Sequence, residues 1–448
     1  MILIFYTIGN VIDDIDNART SSLHLKWTVI TTLGDFLDGA MFGITGITLI
    51  PLIPYLHLNS FEQGIPAFLT LLGTAAGAIS VSRLGDKFGR KHIYSFDAII
   101  YGIAAIMLSI TFNLYWAMVF FFMVGFGVGG DVPNSWSLLI EFAPKDKRGS
   151  LFSFTYILWF LGGIIGTLLA VLLVPYGMLL FRIEWAFFGI IAFFVWFLRK
   201  QLPESPRYNA LNNNEKELIS TANMVGSNEK NIKSYKRHAY RELFNNYGRY
   251  MLLAFLLYMM CGIPESTNGE FYPYIFRLLG LSLAQSYELE AMIFIITLLS
   301  VFVFRYIVDL IGRVKTYIIS GSIYAAGMYM LGSRFVYHSI YLLIFTAILL
   351  AVGLGLGFDI INRLYSTVHL PVSIRASGQG LIWFSLRIEV AFFGLYTPYL
   401  ISVYGLPVLY TIFGFMILLD VITIIVLNFK SPGMVNTEKR SIDELAGE

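Results

Sequence analysis

Asp86-Lys87-Phe88-Gly89-Arg90 returns later in the chain as Asp309-Leu310-Ile311-Gly312-Arg313, 309 − 86 = 223 residues on. Two more sets return in the same order. Gly125, Gly127, Gly129 and Asp131 come back as Gly353, Gly355, Gly357 and Asp359, at 353 − 125 = 228, and Pro144 and Arg148 come back as Pro371 and Arg375, at 371 − 144 = 227. Three sets in one order at nearly one offset mark an internal duplication, so the chain consists of two like halves. Each half is also a run of apolar segments of membrane-crossing length. The halves therefore read as parallel repeats about an axis along the membrane normal.

Composition agrees with a chain that lives in lipid. Of 448 residues 57% are hydrophobic and 13% charged, and the mean hydropathy is +0.70, against roughly 25% charged in ordinary soluble domains. A net charge of +2 is too small to suggest a nucleic-acid partner. The single cysteine, Cys261, excludes an intrachain disulfide framework and a cysteine-rich metal site. The six histidines have no ligand spacing, so no metal is expected. The glycine sets follow no strand and make no phosphate loop, so they read as helix-packing devices and no cofactor is expected. No nucleophile–base arrangement points to an enzyme. Met1 to Gly9 is apolar but lacks a basic flank and a cleavage site, and it reads as neither signal peptide nor span. A native start is expected near Val11.

A helix needs about 20 apolar residues to cross the hydrocarbon core. Segments of that kind fall at 27–53, 65–83, 92–111, 114–141, 150–174 and 178–199, and again at 248–277, 286–308, 315–333, 339–366, 376–402 and 406–428. The expected fold is all-α, with twelve transmembrane helices in two pseudo-symmetric six-helix bundles, 27–200 and 248–430. An N-terminal segment (1–26), a polar linker with some helix (201–247) and a tail (431–448) complete the chain. Lysine and arginine excess marks the cytoplasmic side. Arg83, Lys87, Arg90 and Lys91 follow span 2, Lys145, Lys147 and Arg148 follow span 4, and Arg313 and Lys315 follow span 8, whereas the loops after spans 1, 3 and 11 hold no Lys or Arg. Both termini are accordingly expected in the cytoplasm, and the membrane is expected to be the plasma membrane.

Arg83-Leu84-Gly85-Asp86-Lys87-Phe88-Gly89-Arg90-Lys91 resembles the loop motif between spans 2 and 3 of the major facilitator superfamily. Gly130-Asp131-Val132-Pro133, the stretch from Glu141 to Gly149, and Pro203-Glu204-Ser205-Pro206-Arg207 resemble signatures of its sugar-porter and its organic-acid and phosphate symporter branches. The resemblance spans residues 27 to 430. It implies two bundles around a central cavity, alternating access, and transport of a small solute without ATP. Three positions depart from the pattern: Met41 stands where those symporters have a second acid in span 1, Val368 where the second copy of the Glu141 motif should have its glutamate, and Gly262-Ile263-Pro264-Glu265-Ser266 where sugar porters have paired glutamines.

An ionisable side chain in hydrocarbon is costly and usually faces a cavity or a partner. Asp38 lies 38 − 27 = 11 residues into span 1, about 16 Å at ~1.5 Å per residue and so near the midplane. Burial there disfavours a bare charge, which suits a proton carrier. Asp35, on the same face but nearer the cytoplasmic edge, reads as structural. Asp131 has no basic residue on its own helical face and is the second proton-coupling candidate; the resemblance implies the same role. Arg387, near the middle of span 11, must meet a carboxylate or an anionic ligand; it is two residues from Glu389, about 200° around the helix, and cannot pair with it. Arg387, Asp359, Asn362 and Glu265 are the substrate-binding candidates, with Asp359 and Arg363, at i and i+4, able to neutralise each other. Gly262, Pro264 and Gly269 suggest a break in the outer half of span 7. Asp86, Gly89, Arg90, Glu141, Arg148, Asp309, Gly312 and Arg313 are expected to form gating latches. Asp86 would sit at the positive N-terminus of span 11, Asp309 would do the same against span 5, and Glu141 and Arg148 would add ion pairs between helices.

The sequence thus points to a secondary transporter, a proton-coupled symporter of a small polar organic solute with an organic acid favoured. Its partners would be that solute, protons and the lipid bilayer, and it would be a monomer. The alternatives are a sugar or phosphate symporter and, from another class, a membrane solute sensor of the same fold.

Overall fold

A computed structural model describes residues 11–59, 62–227, 235–437 and 440–447. The described residues are helical with no strand. Spans 1 to 6 are Ser22–Leu56, Ile65–Phe88, Arg90–Ser109, Leu114–Phe142, Arg148–Leu173 and Met178–Arg199. Spans 7 to 10 are Gly248–Leu278, Leu283–Ile311, Arg313–Gly332 and Ile340–Val368, and Arg375–Lys430, turned at Gly405 with φ 78°, holds spans 11 and 12. Each expected span is present. Span 1 begins at Ser22, a turn earlier than its hydropathy suggested.

Local chemistry sets the ends. Asn113 caps span 4 by accepting from the Trp116 amide at 2.8 Å, and Ser282 and Gln285 make a reciprocal cap on span 8. Gly89 and Gly312, the same position in the two copies, turn the chain with φ 97° and 85°, a region that L side chains rarely enter. At Gly89 a Cβ would also meet Glu204 Oε2 at 2.5 Å.

The glycine sets do pack helices. A Cβ on Gly125 or Gly129 would lie 1.9 Å from the carbonyl oxygen of Thr70 or Thr74, so spans 2 and 4 touch backbone to backbone. Spans 1 and 5 meet the same way, at Gly39 against Trp159 and at Gly162 against Phe36. Outward faces carry exposed apolar side chains such as Phe96, Ile190, Phe194, Leu252, Leu299 and Phe302, as lipid-facing surfaces do.

Two departures concern helix continuity. Span 7 is not broken: Gly248–Leu278 runs through Pro264 and Pro273. A proline removes one hydrogen bond, and neighbouring helices hold the segment in line. The irregular helix is span 10, where Leu354–Phe358 forms a wide turn with Gly357 at φ 107°. Any side chain at Gly357 would strike the Phe304 ring at 2.3 Å. The bulge falls immediately before Asp359.

At the end of the molecule that carries the basic loops, helices outside the spans form a cap. Val11, Ile12 and Ile15 of Val11–Asn17 pack on Ala210, Leu218 and Ala222 of the linker helices. The tail helix Ile442–Ala446 joins them through Asp443.

Candidate functional site

Between the two halves lies a cavity with about 420 Å³ of empty space. Phe42 and Trp159 of the first half and Tyr258, Glu265, Trp383 and Arg387 of the second line it, with Asp359 and Arg363 at its floor. Asp359 and Arg363, on the helical stretch that follows the bulge at Gly357, line the cavity together. Arg363 Nε lies 2.5 Å from Asp359 Oδ2, the intrahelical pair that the spacing allowed. Its guanidinium also stacks over Tyr156 at 4.3 Å and Trp136 at 4.9 Å, both from the other half.

Tyr156 is the hinge of the arrangement. Its hydroxyl hydrogen-bonds Asp359 Oδ2 and, at 2.9 Å, Glu265 Oε1. A phenol has one proton to donate. For both contacts to be hydrogen bonds, one of the two carboxyls must itself carry a proton.

Asp38 and Arg387 face each other across the halves, with Arg387 Nη2 4.0 Å from Asp38 Oδ2. Asp38 Oδ2 also accepts from Trp159 Nε1 at 2.9 Å, and Oδ1 has no hydrogen-bond partner among the described residues. Arg387 stacks over Trp383 at 4.2 Å and Phe42 at 4.7 Å. Asp35 accepts from Trp136 Nε1 at 2.9 Å, the structural bond expected of it. Asn362 does not line the cavity: at i+3 from Asp359 it turns toward span 9, where Tyr317 donates to its Oδ1 at 3.0 Å.

Asp131 is not isolated. Its Oδ1 lies 2.6 Å from Arg199 Nη2, on span 6, and both line a smaller cavity of about 190 Å³ inside the first half with Asp97. The sequence missed this pair because Arg199 stands at the end of its span, where a basic residue reads as a boundary marker. Helical spacing is silent about cations on other helices.

At the basic end, hydrogen bonds and ion pairs join the two halves. Asp86 accepts from the amides of Ala376 at 3.3 Å and Ser377 at 2.7 Å, at the start of span 11, and pairs with Arg90 Nη2 at 3.1 Å. Arg90 Nη1 pairs with Glu141 at 2.6 Å, and Nη2 donates to the carbonyl oxygen of Val372 at 2.5 Å. Glu141 also takes Arg375 and the Ser205 hydroxyl. Glu204 accepts from the amides of Arg90, Lys91 and Ser205. Glu141 and Arg148 do not pair with each other: Arg148 Nη2 meets Asp16 Oδ1 at 3.2 Å, and Nη1 the carbonyl oxygen of Arg440 at 3.2 Å. Arg313 donates to Thr437 Oγ1 at 2.5 Å. The side chain of Asp309 lies outside the described residues.

The family model described as "Sugar (and other) transporter" matches residues 28–445. The chain belongs to this family. Among curated relatives it is 26% identical over 399 residues to the minor myo-inositol transporter IolF of Bacillus subtilis, with 87% of each chain covered. It is 25% identical over 397 residues to the niacin transporter NiaP of Acinetobacter baylyi, covering 83% of this chain and 86% of that one. Its fold is that of XylE, a proton:xylose symporter of the major facilitator superfamily solved with 6-bromo-6-deoxy-D-glucose. The TM-score is 0.81 at 17% identity, over 96% of this chain and 99% of that one. The inward-open structure of XylE from E. coli gives 0.68 at 16% identity, over 95% and 99%. This transporter is therefore a multi-pass membrane protein with twelve helices in two bundles, and it is not an enzyme.

Proposed function

We propose that this transporter is a proton-coupled symporter of a small polar organic solute, an organic acid in the first instance. It works by alternating access as a monomer in the plasma membrane, with the basic end and both termini in the cytoplasm. The observation that carries the proton is the Tyr156 hydroxyl shared between Asp359 and Glu265, since one of those carboxyls must be protonated for both contacts to hold. Charge supports it. Among the described residues, Glu265, Asp359, Arg363 and Arg387 line the cavity and Asp38 lies beside Arg387, three acids near two cations.

Arg387 is the solute anchor in this reading. A carboxylate arriving from outside takes the guanidinium, which lies 4.0 Å from Asp38, in a charge-assisted pair. Asp38 then loses its counter-ion in a dry site and takes up a proton from the outer medium. When the basic end opens, the solute leaves, the cation returns to Asp38 and the proton departs inward. Glu265 and Asp359 complete the solute side, and Asn362 holds Tyr317 behind the wall. Asp131 is the second proton-coupling acid. The aromatic walls at Trp159, Trp383 and Tyr258 favour a ring-shaped solute, and they keep a sugar or polyol as the second reading, in line with the myo-inositol transporter named above.

The test is solute-driven proton uptake in proteoliposomes containing a pH dye, screened across organic acids, sugars and phosphate, with Asp38→Asn and Arg387→Ala in parallel. Acidification with one organic acid, lost in Asp38→Asn while labelled solute still exchanges, is the expected result. Arg387→Ala should raise the half-saturating solute concentration by ten-fold or more, since a hydrogen bond to a charged group contributes about 1.5–3 kcal/mol. Solute movement with no proton movement in any class would sink the coupling.

A further inference from the structure

Asp97, on span 3, is 2% exposed, and its Oδ2 has no hydrogen-bond partner among the described residues. It lines the small cavity inside the first half together with Asp131 and Arg199. Arg199 is the cation of that cavity: Nη2 meets Asp131 at 2.6 Å, while Nη1 donates to the carbonyl oxygen of Tyr94 at 2.7 Å and the guanidinium stacks on the Tyr94 ring at 3.8 Å. The charged groups of span 1 that feel this site are Asp35 and Asp38, both acidic. Tyr94 and Tyr101 of span 3 are neutral neighbours. Among the described residues that line this cavity, two carboxyls thus share one guanidinium, with the acids Asp35 and Asp38 of span 1 close by. Two bare carboxylates cannot both be held in such a place.

We propose that Asp97, Asp131 and Arg199 form a proton-holding site inside the first bundle, separate from the solute cavity, in which one proton is kept between two carboxyls. Asp131 stays ionised against Arg199, and Asp97 carries the proton. When the pair with Arg199 loosens, the proton passes from Asp97 to Asp131 or out to water, leaving a carboxylate behind, so proton count and charge balance at each step. Gly34 of span 1 provides the trigger. A Cβ there would lie 1.5 Å from Asp131 Oδ2 and 2.5 Å from Arg199 Nη2, so span 1 rests directly on the ion pair. Span 1 also carries Asp38, and a shift of that helix on solute binding reaches both sites at once. The inference rests on the proton-coupled reading only for its role in transport; proton holding itself is independent of it.

The experiment therefore has two arms. In the first, infrared difference spectra of the solute-free protein in nanodiscs are titrated with pH for wild type, Asp97→Asn and Asp131→Asn. A protonated-carboxyl band absent from Asp97→Asn and shifted in its titration midpoint by Asp131→Asn is expected; an Asp97→Asn spectrum identical to wild type overturns the site. In the second arm, proteoliposomes are loaded with whichever solute acidifies the wild-type lumen. Asp97→Asn should lose at least ten-fold in gradient-driven accumulation while solute exchange persists, and Asp97→Glu should restore it. Accumulation unchanged in Asp97→Asn overturns the transport role. Exchange and accumulation falling together, with a lowered melting temperature, assign Asp97 to folding and overturn it too. If no solute acidifies the wild-type lumen, the symport reading fails while the first arm still decides the proton site.

Discussion

Arg375 of the second half ion-pairs with Glu141 of the first, so the two copies of one motif are tied to each other across the bundle interface. The asymmetry has a cause in the sequence. Glu141 stands seven residues before Arg148, and the position seven before Arg375 is Val368. One glutamate therefore serves Arg90 of its own half and Arg375 of the other. All three side chains are buried. Their closure holds only while the halves meet at this end.

Glu141→Gln removes the shared anion and leaves Arg375 buried with neutral partners and Arg90 with Asp86. Breaking a buried pair on one side costs roughly 3–5 kcal/mol. The loss falls on the state closed at the basic end, because the contact exists only there. Spin-label distances between the 83–91 loop and the start of span 11 should lengthen and broaden in the absence of solute. Distances matching wild type would show that Asp86 on the amides of Ala376 and Ser377 holds the latch alone.

The missing second glutamate has a substitute. Arg148 and Arg313 are the cations it would face by the repeat, and they turn instead to Asp16 of the N-terminal helix and Thr437 of the tail. Asp16 also takes Arg207 at 2.7 Å, and Arg207 takes Asp443. Asp16→Asn should therefore loosen the cap and weaken the same closed state. Val368→Glu in that background should recover part of the loss, since it puts an anion back at the repeat position. Melting temperature in detergent and protease sensitivity of the linker read both effects. Failure of Val368→Glu to recover anything would mean that the second half no longer has room for the symmetric latch.

Much of this architecture was legible in the sequence, and the reason is physical. Membrane thickness fixes helix length, so the spans could be counted. Basic loops and turn glycines recur in one order at nearly one offset, so the halves and the Asp86 contact with the start of span 11 could be foreseen. Partners on other helices could not. Arg199 looked like the end of span 6 and is the counter-ion of Asp131. Pro264 promised a break that neighbouring helices absorb, whereas the real irregularity, at Gly357, sits in a stretch whose glycines also serve packing. Asp131 and Arg199, the neighbours of Asp97, likewise sit on other helices, where spacing along the span of Asp97 does not show them.

Gly129→Ala and Gly46→Ala make a matched pair for the packing argument. A Cβ at Gly129 meets the carbonyl oxygen of Thr74 at 1.9 Å, and backbone cannot step aside as a side chain can. Overpacking of this kind typically costs about 1–3 kcal/mol. At Gly46 nothing lies within 4 Å, so alanine gains helix propensity, up to about 1 kcal/mol. Thermal melting should fall for the first and hold or rise for the second. Equal falls would show that helix geometry, not contact between spans 2 and 4, sets the need for glycine.

Tyr156→Phe isolates the contact on which the proton argument rests. The hydroxyl belongs to the first half, and both its carboxyl partners belong to the second. Asp359 keeps Arg363 when the hydroxyl is removed, whereas Glu265 loses a bond that bridges the halves. The net value of such a bond is about 0.5–1.5 kcal/mol, which corresponds to a change of roughly two- to ten-fold in solute affinity if the solute binds the state in which the halves meet. Trp159 and Trp383 line the cavity, so their fluorescence reports binding without a label. Affinity should fall within that range, and its dependence on pH should change because Glu265 no longer shares a proton through the phenol with Asp359. An unaltered affinity with an unaltered pH profile would remove Tyr156 from the coupling and leave Asp38 to carry the cavity's proton by itself.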